Sequence, residues 1–334
     1  MIKYIRKAVG LFLTVLLITG SLTACGSRTE KADQPDGKNS GLHIVTTIFP
    51  EYDWAKRILG DNPAKASLTL MADQGVDLHS YQPTTEDILK ISSCDLFIYV
   101  GGPSDQWVED VLTDAVNPDM VVINLMELLG SQVKEEEEVE GMQAEEENAG
   151  HETQDQPEYD EHVWLSLRSA SVICDRIEEA LVSLDPEHES IYKDNLAAYQ
   201  ESLKALDQDY EDTVSRSRFK TLLFGDRFPF RYLVNDYGLN YYAAFAGCSA
   251  ETEASFETIT FLAGKLDELG LPAVIIIDGG DGKVAGTIVN NSKTGNQKIL
   301  RMDSMQSTGT TDLDKVSYLS VMEQNLKILE EALN

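Results

Sequence analysis

Residues 189–215 read ESIYKDNLAAYQESLKALDQDYEDTVS, a stretch without glycine or proline. Its apolar side chains recur at steps of three and four residues, at Tyr192, Leu196, Tyr199, Leu203, Leu206, Tyr210 and Val214. This spacing places them on one face of an α-helix. A helix of this length extends roughly 40 Å at 1.5 Å per residue. The stretch therefore predicts a stiff strut that disfavours large hinge movements between the parts of the chain on either side.

Short apolar runs alternate with helical segments on both sides of this strut. The predicted strands before it cover residues 43–47, 66–71 and 95–100, and those after it include residues 220–224 and 273–277. Such alternation is typical of parallel sheets covered by helices.

The two halves also resemble each other. Residues 96–102 (LFIYVGG) and 274–280 (VIIIDGG) are both apolar runs that end in paired glycines. We therefore predict an α/β fold of two (β/α) sandwich lobes with parallel sheets. One long rigid helix, residues 189–217, joins an amino-terminal lobe of residues 42–188 to a carboxyl-terminal lobe of residues 218–334.

The amino terminus predicts a targeting segment. In residues 1–24, three basic side chains precede an apolar run that is short for a stable membrane span. The run ends in LTAC at residues 22–25, which resembles the lipobox of bacterial lipoproteins. Cys25 is then the lipidation site, and the polar residues 25–41 form a flexible tether. This predicts a lipid-anchored protein on the extracytoplasmic face of the cell membrane; the alternative is an ordinary signal peptide with an incidental cysteine.

The charge of the chain is strongly acidic and uneven. A formal charge of -30 disfavours nucleic acid as a partner and favours cations, or simply solubility. Residues 131–161 contain thirteen Asp or Glu against one Lys. Such a block predicts a disordered loop within the first lobe, either a solvated spacer or a loose tether that collects cations.

Two histidines stand at positions that suit a ligand site. His79 follows a predicted strand, and His162 lies between the acidic block and an apolar segment that opens a helix. Neutral imidazole is the commonest metal ligand, although an isolated histidine is more often a surface or core residue. Ligands bind outside the carboxyl ends of the strands in open parallel sheets. The acidic candidates at such positions in the second lobe are Asp226, Asp278, Asp281 and Asp303.

Two imidazoles with one or two carboxylates suit Zn²⁺ or Mn²⁺. If protein atoms fill all four coordination positions, no place remains for an activated water. Capture of the ion is therefore favoured over hydrolysis.

Five short motifs carry a resemblance to a known family. They are residues 47–50 (TIFP), 77–83 (DLHSYQP), 160–165 (DEHVWL), 237–239 (YGL) and 249–255 (SAETEAS). In this order they resemble the zinc/manganese-type solute-binding proteins of ABC transporters. The resemblance implies two lobes, a rigid linking helix and one metal ion between the lobes, with His79, His162 and Asp303 matching family ligands.

The chain departs from that family at two places. The family's third ligand, a His in zinc-type members and a Glu in manganese-type members, falls on Arg227, which cannot bind a metal. Asp226 is predicted to ligate in its place if the turn shifts by one residue; otherwise Asp226 pairs with Arg227 or Arg231, and water completes the site. The histidine-rich loop of zinc-type members is replaced by an acidic loop with only His151, which keeps Mn²⁺ as an alternative cargo.

These features predict a monomeric, lipid-anchored protein that captures Zn²⁺ and delivers it to an ABC permease for import. The alternatives are a Mn²⁺-specific protein of the same type, a metal-dependent hydrolase and a surface adhesin, a role also linked to the family. The sequence contains no HExxH motif, nucleophile elbow or P-loop, which argues against the hydrolase. Metal ligands must be deprotonated, so affinity is expected to fall in acid.

Overall fold

Two parallel four-stranded sheets form the frame of the protein. The computed structural model describes residues 41–72, 77–143, 158–249 and 253–334. The predicted targeting segment, Cys25 and the tether up to residue 40 lie outside the described residues. No helix among the described residues combines the length and apolarity needed to cross a membrane.

The first sheet has strand order β2-β1-β3-β4 with every pairing parallel. Its strands are β1 (His43–Thr46), β2 (Ser67–Leu70), β3 (Leu96–Tyr99) and β4 (Val121–Asn124). The helices of this part are α1 (Phe49–Leu59), α2 (Thr85–Ser93), α3 (Trp107–Thr113), α4 (Leu125–Leu129) and α5 (Leu167–Leu184). All four residues of β3 are buried, as expected for a strand covered on both faces.

The long helix α6 runs from Glu189 to Arg216, close to its predicted bounds. It packs on α1 and α5 and buries most of the predicted apolar stripe. Near its start, Asn195 Nδ2 donates to the Ile58 carbonyl at 3.0 Å, and nearer its end Tyr210 Oη donates to the Met322 carbonyl at 2.7 Å. These bonds tie one rigid helix to segments at opposite ends of the chain.

The second sheet repeats the plan of the first, with parallel strand order β6-β5-β7-β8. Its strands are β5 (Thr221–Arg227), β6 (Asn240–Phe245), β7 (Ala273–Ile277) and β8 (Lys298–Met302). The helices after α6 are α7 (Arg231–Asp236), α8 (Phe256–Leu269), α9 (Lys283–Asn291) and α10 (Tyr318–Ala332). The predicted two-lobe α/β fold with a long linking helix is confirmed.

Residues 41–334 pack as one compact unit. A single apolar cluster contains residues from both sheets and from α6. The fully buried Trp164 links the two halves, since its Nε1 donates to the Ser304 carbonyl at 2.8 Å and its own carbonyl accepts from Tyr318 Oη at 2.7 Å. The exact division into residues 42–188, 189–217 and 218–334 stays a prediction.

The acidic block differs from the prediction of disorder where the structure describes it. Glu135 and Tyr159 form an antiparallel bridge, and the Lys134 amide donates to Tyr232 Oη at 3.0 Å. Glu137 pairs with Arg231 at 2.7 Å. Charge repulsion is outweighed here because backbone and carboxylate groups find partners on the second half of the protein. Residues 144–157, including His151, lie outside the described residues.

Candidate metal centre

His79 and His162 meet in the crevice between the halves. His79 lies in a short 3₁₀ turn after β2 and His162 directly precedes another, which leads into α5. Their Nε2 atoms are 3.2 Å apart. His162 is completely buried, and the His79 side chain is 12% exposed. The structure thus brings together two imidazoles that are far apart in sequence.

The opposite nitrogen of each ring faces an acidic group. His162 Nδ1 lies 3.0 Å from Asp160 Oδ1, which also accepts from the His162 amide at 2.8 Å. His79 Nδ1 lies 2.8 Å from Ser104 Oγ and 3.4 Å from Glu161 Oε2. An acceptor beside Nδ1 keeps the proton on that nitrogen, which leaves the Nε2 lone pair free to bind a cation. Both lone pairs therefore point to the same place.

The side chain of Gln306 lies at that shared place. Its Nε2 is 2.6 Å from His162 Nε2 and 3.0 Å from His79 Nε2, so one amide group donates to both rings. The Gln306 Oε1 accepts from Ser304 Oγ at 3.1 Å. The sequence prediction missed Gln306, although its position shortly after the end of β8 was a signal. Its amide satisfies two acceptors that a metal ion would satisfy more strongly.

Cys248 completes a group of three potential metal ligands. Its Sγ and one ring nitrogen each of His79 and His162 lie within 4.8 Å of one another. Burial raises the pKa of the Cys248 thiol far above its ordinary range, and the negative charge of nearby carboxylates raises it further. The sequence prediction gave Cys248 no role, because it follows β6, a strand that the apolar pattern did not reveal.

Asp226 is not brought into this group. It lies within β5, at a register irregularity before Arg227, rather than after the end of the strand. Its Oδ1 accepts from the Arg227 amide at 2.9 Å and its Oδ2 from the Ile277 amide at 3.3 Å. Burial raises the pKa of Asp226, and the carboxyl lines a neighbouring cavity of ≈ 560 Å³. In this structure Asp226 joins β5 to β7, and its ligand role stays a prediction.

Arg227 pairs with Asp77 instead of with Asp226. Its Nη2 lies 2.7 Å from Asp77 Oδ2, while Asp77 Oδ1 accepts from the His79 amide at 3.0 Å. Burial raises the pKa of Asp77, but the Arg227 guanidinium and these hydrogen bonds outweigh it, so the pKa is lowered overall. This pair connects the second sheet to the turn that carries His79.

Asp303 follows β8 and also lies outside the group of three. Its Oδ1 accepts from the Met305 amide at 2.8 Å. Burial, and next the charge of Asp278, raise the pKa of Asp303 to about 6. Asp278 shapes the same loop, because its carboxylate accepts from the Ser304 amide and hydroxyl, both at 2.6 Å. A ligand role for Asp303 stays a prediction.

The chain is similar to several known zinc-binding and zinc-uptake proteins. Zinc-binding lipoprotein AdcA of Streptococcus pneumoniae is 29% identical over 93% of this chain, which spans only 58% of that protein. The high-affinity zinc uptake system protein ZnuA of Bacillus subtilis is 28% identical over 98% of both chains. The crystal structure of the Zn(II)-bound ZnuA-like domain of the pneumococcal AdcA superposes with a TM-score of 0.67. That pair is 25% identical and covers 88% of this chain and 99% of the domain.

The family model described as zinc-uptake complex component A, periplasmic, matches residues 44–332. This match covers both sheets, α6 and the two histidines. The resemblance inferred from the sequence motifs is thereby confirmed, and the chain belongs to the ZnuA family of zinc-uptake complex components.

Proposed function

We propose that this protein captures Zn²⁺ in the crevice between its two halves and delivers it to an ABC permease for import. Membership of a zinc-uptake family supports the cargo and the type of partner. Mn²⁺ is the alternative cargo, since nitrogen and carboxylate ligands also accept it. The mechanism is coordination and release, without a catalytic step.

The observation that carries the proposal is the convergence of the two Nε2 atoms. Two nitrogens bound tetrahedrally to one Zn²⁺ at 2.0–2.1 Å would lie roughly 3.3 Å apart. The Nε2 atoms of His79 and His162 are 3.2 Å apart. This arrangement needs little movement of either ring to hold an ion.

The groups behind the rings support the same use. Asp160 and Glu161 are buried and face the Nδ1 atoms, where they hold each ring in one tautomer. Their negative charges also compensate the charge of an incoming cation. Gln306 must turn away as the ion enters. Asp303, on the same loop as Gln306, remains the candidate for an oxygen ligand.

The anchoring is proposed from the sequence. Lipidation at Cys25 would anchor the protein, a monomer, to the extracytoplasmic face of the membrane. Residues 25–41 would then form a tether that lets it reach the permease. The relative AdcA of Streptococcus pneumoniae is described as a zinc-binding lipoprotein, and this supports the proposed anchor.

Equilibrium dialysis of the full chain against Zn²⁺ and Mn²⁺ tests the proposal. We expect one Zn²⁺ per chain, and at least about 100-fold weaker binding for each of the variants His79→Ala and His162→Ala, because each removes one of few ligands. His43→Ala is the matched control, since His43 is an exposed histidine at the start of β1. Full-strength binding in the double variant of His79 and His162 would overturn the proposal. Tighter binding of Mn²⁺ than of Zn²⁺ would select the alternative cargo.

A further inference from the structure

The loop after β6 brings a thiol to the histidine pair. The Gly247 backbone lies against the ring of His162: a Cβ on Gly247 would be 3.1 Å from His162 Cε1 and 2.9 Å from the Phe228 carbonyl oxygen. Only glycine allows this approach without a shift of the ring or of the neighbouring chain. The next residue, Cys248, is thereby set directly beside the metal centre.

The acidic block holds this loop in place. The Cys248 amide donates to Glu136 Oε1 at 3.3 Å, and the Glu136 amide in turn donates to the Glu158 carbonyl at 2.8 Å. Glu158 lies four residues before His162 in the chain. The segment that leads to His162 therefore also positions the loop of Cys248.

The distances suit one ion bound by three protein atoms. In a tetrahedral zinc site with Zn–N near 2.05 Å and Zn–S near 2.3 Å, nitrogen and sulfur lie roughly 3.5 Å apart. The Cys248 Sγ and the two ring nitrogens already lie within 4.8 Å of one another. A rotation of the short Cys248 side chain about χ1 can close a difference of this size.

Asp226 and Arg227, at the end of β5, have partners other than the histidine pair. Among the described residues, the carboxylate of Asp226 bonds two backbone amides and Arg227 is engaged with Asp77. Two side chains of the second half, Cys248 and Gln306, lie within reach of both histidines, and of the two Cys248 offers a thiol. An ion held by all three would connect the two halves.

We propose that Cys248 binds the metal as a thiolate, as a third ligand beside His79 and His162, and that this sulfur makes the site prefer Zn²⁺ to Mn²⁺. The inference rests on the proposed function and adds the basis of its selectivity. Thiolate is a soft ligand that suits Zn²⁺, whereas Mn²⁺ is better served by oxygen. On binding, the metal–sulfur bond replaces the S–H bond, and one proton leaves to solvent.

Binding of Co²⁺ and competition between Zn²⁺ and Mn²⁺ test the inference on the full chain. Co²⁺ bonded to a thiolate gives a charge-transfer absorption in the near ultraviolet. We expect this band in the wild type and in the matched control Cys94→Ser, which alters a buried cysteine beside Met120. We expect no band in Cys248→Ser. That variant should lose about 100-fold in Zn²⁺ affinity but no more than about threefold in Mn²⁺ affinity.

A measurement on the unaltered protein guards against a variant that folds poorly. Zn²⁺, but not Mn²⁺, should slow alkylation of Cys248 by iodoacetamide, as located by peptide mapping. Unchanged alkylation with Zn²⁺ bound, or an unchanged preference for Zn²⁺ in Cys248→Ser, would overturn the inference. If His79→Ala and His162→Ala still abolish binding in that case, the proposed function stands without it. If the wild type binds no Zn²⁺ at all, the proposed function and this inference both fail.

Discussion

Asp160 offers the sharpest test of how the site is held, through the variant Asp160→Asn. One carboxylate oxygen of Asp160 accepts from both the amide and the Nδ1 of His162, and the residue is only 2% exposed. The asparagine keeps the size of the side chain and one acceptor oxygen. It removes the negative charge that strengthens the hydrogen bond to His162 Nδ1 and balances the charge of the ion.

The expected loss follows from the position of this carboxylate. Outer partners of metal-ligating histidines typically contribute 10–100-fold to metal affinity, about 1.4–2.7 kcal/mol. Burial keeps water from screening the Asp160 charge, so we expect a loss of Zn²⁺ affinity toward the upper end, roughly 50-fold. His162 itself remains, so binding should weaken without disappearing.

Competition with a chromophoric chelator measures this change. Asp185→Asn is the matched control, because Asp185 Oδ2 lies 2.6 Å from His188 Nδ1 at the junction of α5 and α6. It alters an Asp–His pair outside the candidate site and should leave Zn²⁺ affinity unchanged. Equal Zn²⁺ affinity of Asp160→Asn and wild type would mean that the Asp160 charge does not support the site. An equal loss in the control would mean that the effect is not specific to this contact.

Three further perturbations address neighbouring groups. Gln306→Ala removes the amide that a metal must displace, so Zn²⁺ should bind faster and roughly fivefold more tightly in stopped-flow titrations; weaker binding would instead make Gln306 a ligand. Arg227→Ala breaks the pair with Asp77 beside the His79 turn and should speed Zn²⁺ dissociation about threefold. An unchanged dissociation rate would mean that this ion pair does not affect metal binding. Burial, and secondarily the charge of Glu161, raise the pKa of Asp105 from 3.8 to about 7. The folded state then holds more protons than the unfolded state between these pH values, so wild-type stability should fall as pH rises through them. Asp105→Asn should lack this fall. Measured by urea unfolding, the stability of the variant minus that of wild type should therefore increase by up to about 4 kcal/mol from pH 4 to pH 8. Parallel pH profiles of the two proteins would contradict this.

The fold was largely predictable because its strongest signals are local. The seven-residue apolar stripe located α6 closely, and fully buried strands such as β3 and β7 appear as continuous apolar runs. Two strands escaped prediction. They are β4 (VVIN) and β6 (NYYAAF), and β6 mixes polar, aromatic and small residues whose burial is decided by neighbouring elements.

The site was harder to predict because it depends on contacts between distant segments. The positions of His79 and His162 followed from strand ends and motifs. The contacts of Asp226 could not be foreseen, because β5 continues past Phe224 to Arg227 and turns this carboxylate to backbone amides. Cys248 follows the unpredicted β6, so no pattern in the sequence connected its thiol with the two imidazoles.

The acidic block shows a second limit of predictions that rest on amino-acid composition. Its charge predicts disorder, yet Glu136 and Glu137 have partners on the loop of Cys248 and on Arg231. A run of carboxylates can be held in place when a folded surface supplies donors in register with it. Such donors cannot be read from the acidic run itself.

Zinc K-edge X-ray absorption on the Zn²⁺-loaded full chain would show directly whether His79 and His162 bind the ion. We expect one ion with two imidazole nitrogens at about 2.0–2.1 Å, and loss of the imidazole scattering in the double variant of His79 and His162. A shell made only of oxygen atoms, or an imidazole signal that survives in that variant, would contradict it.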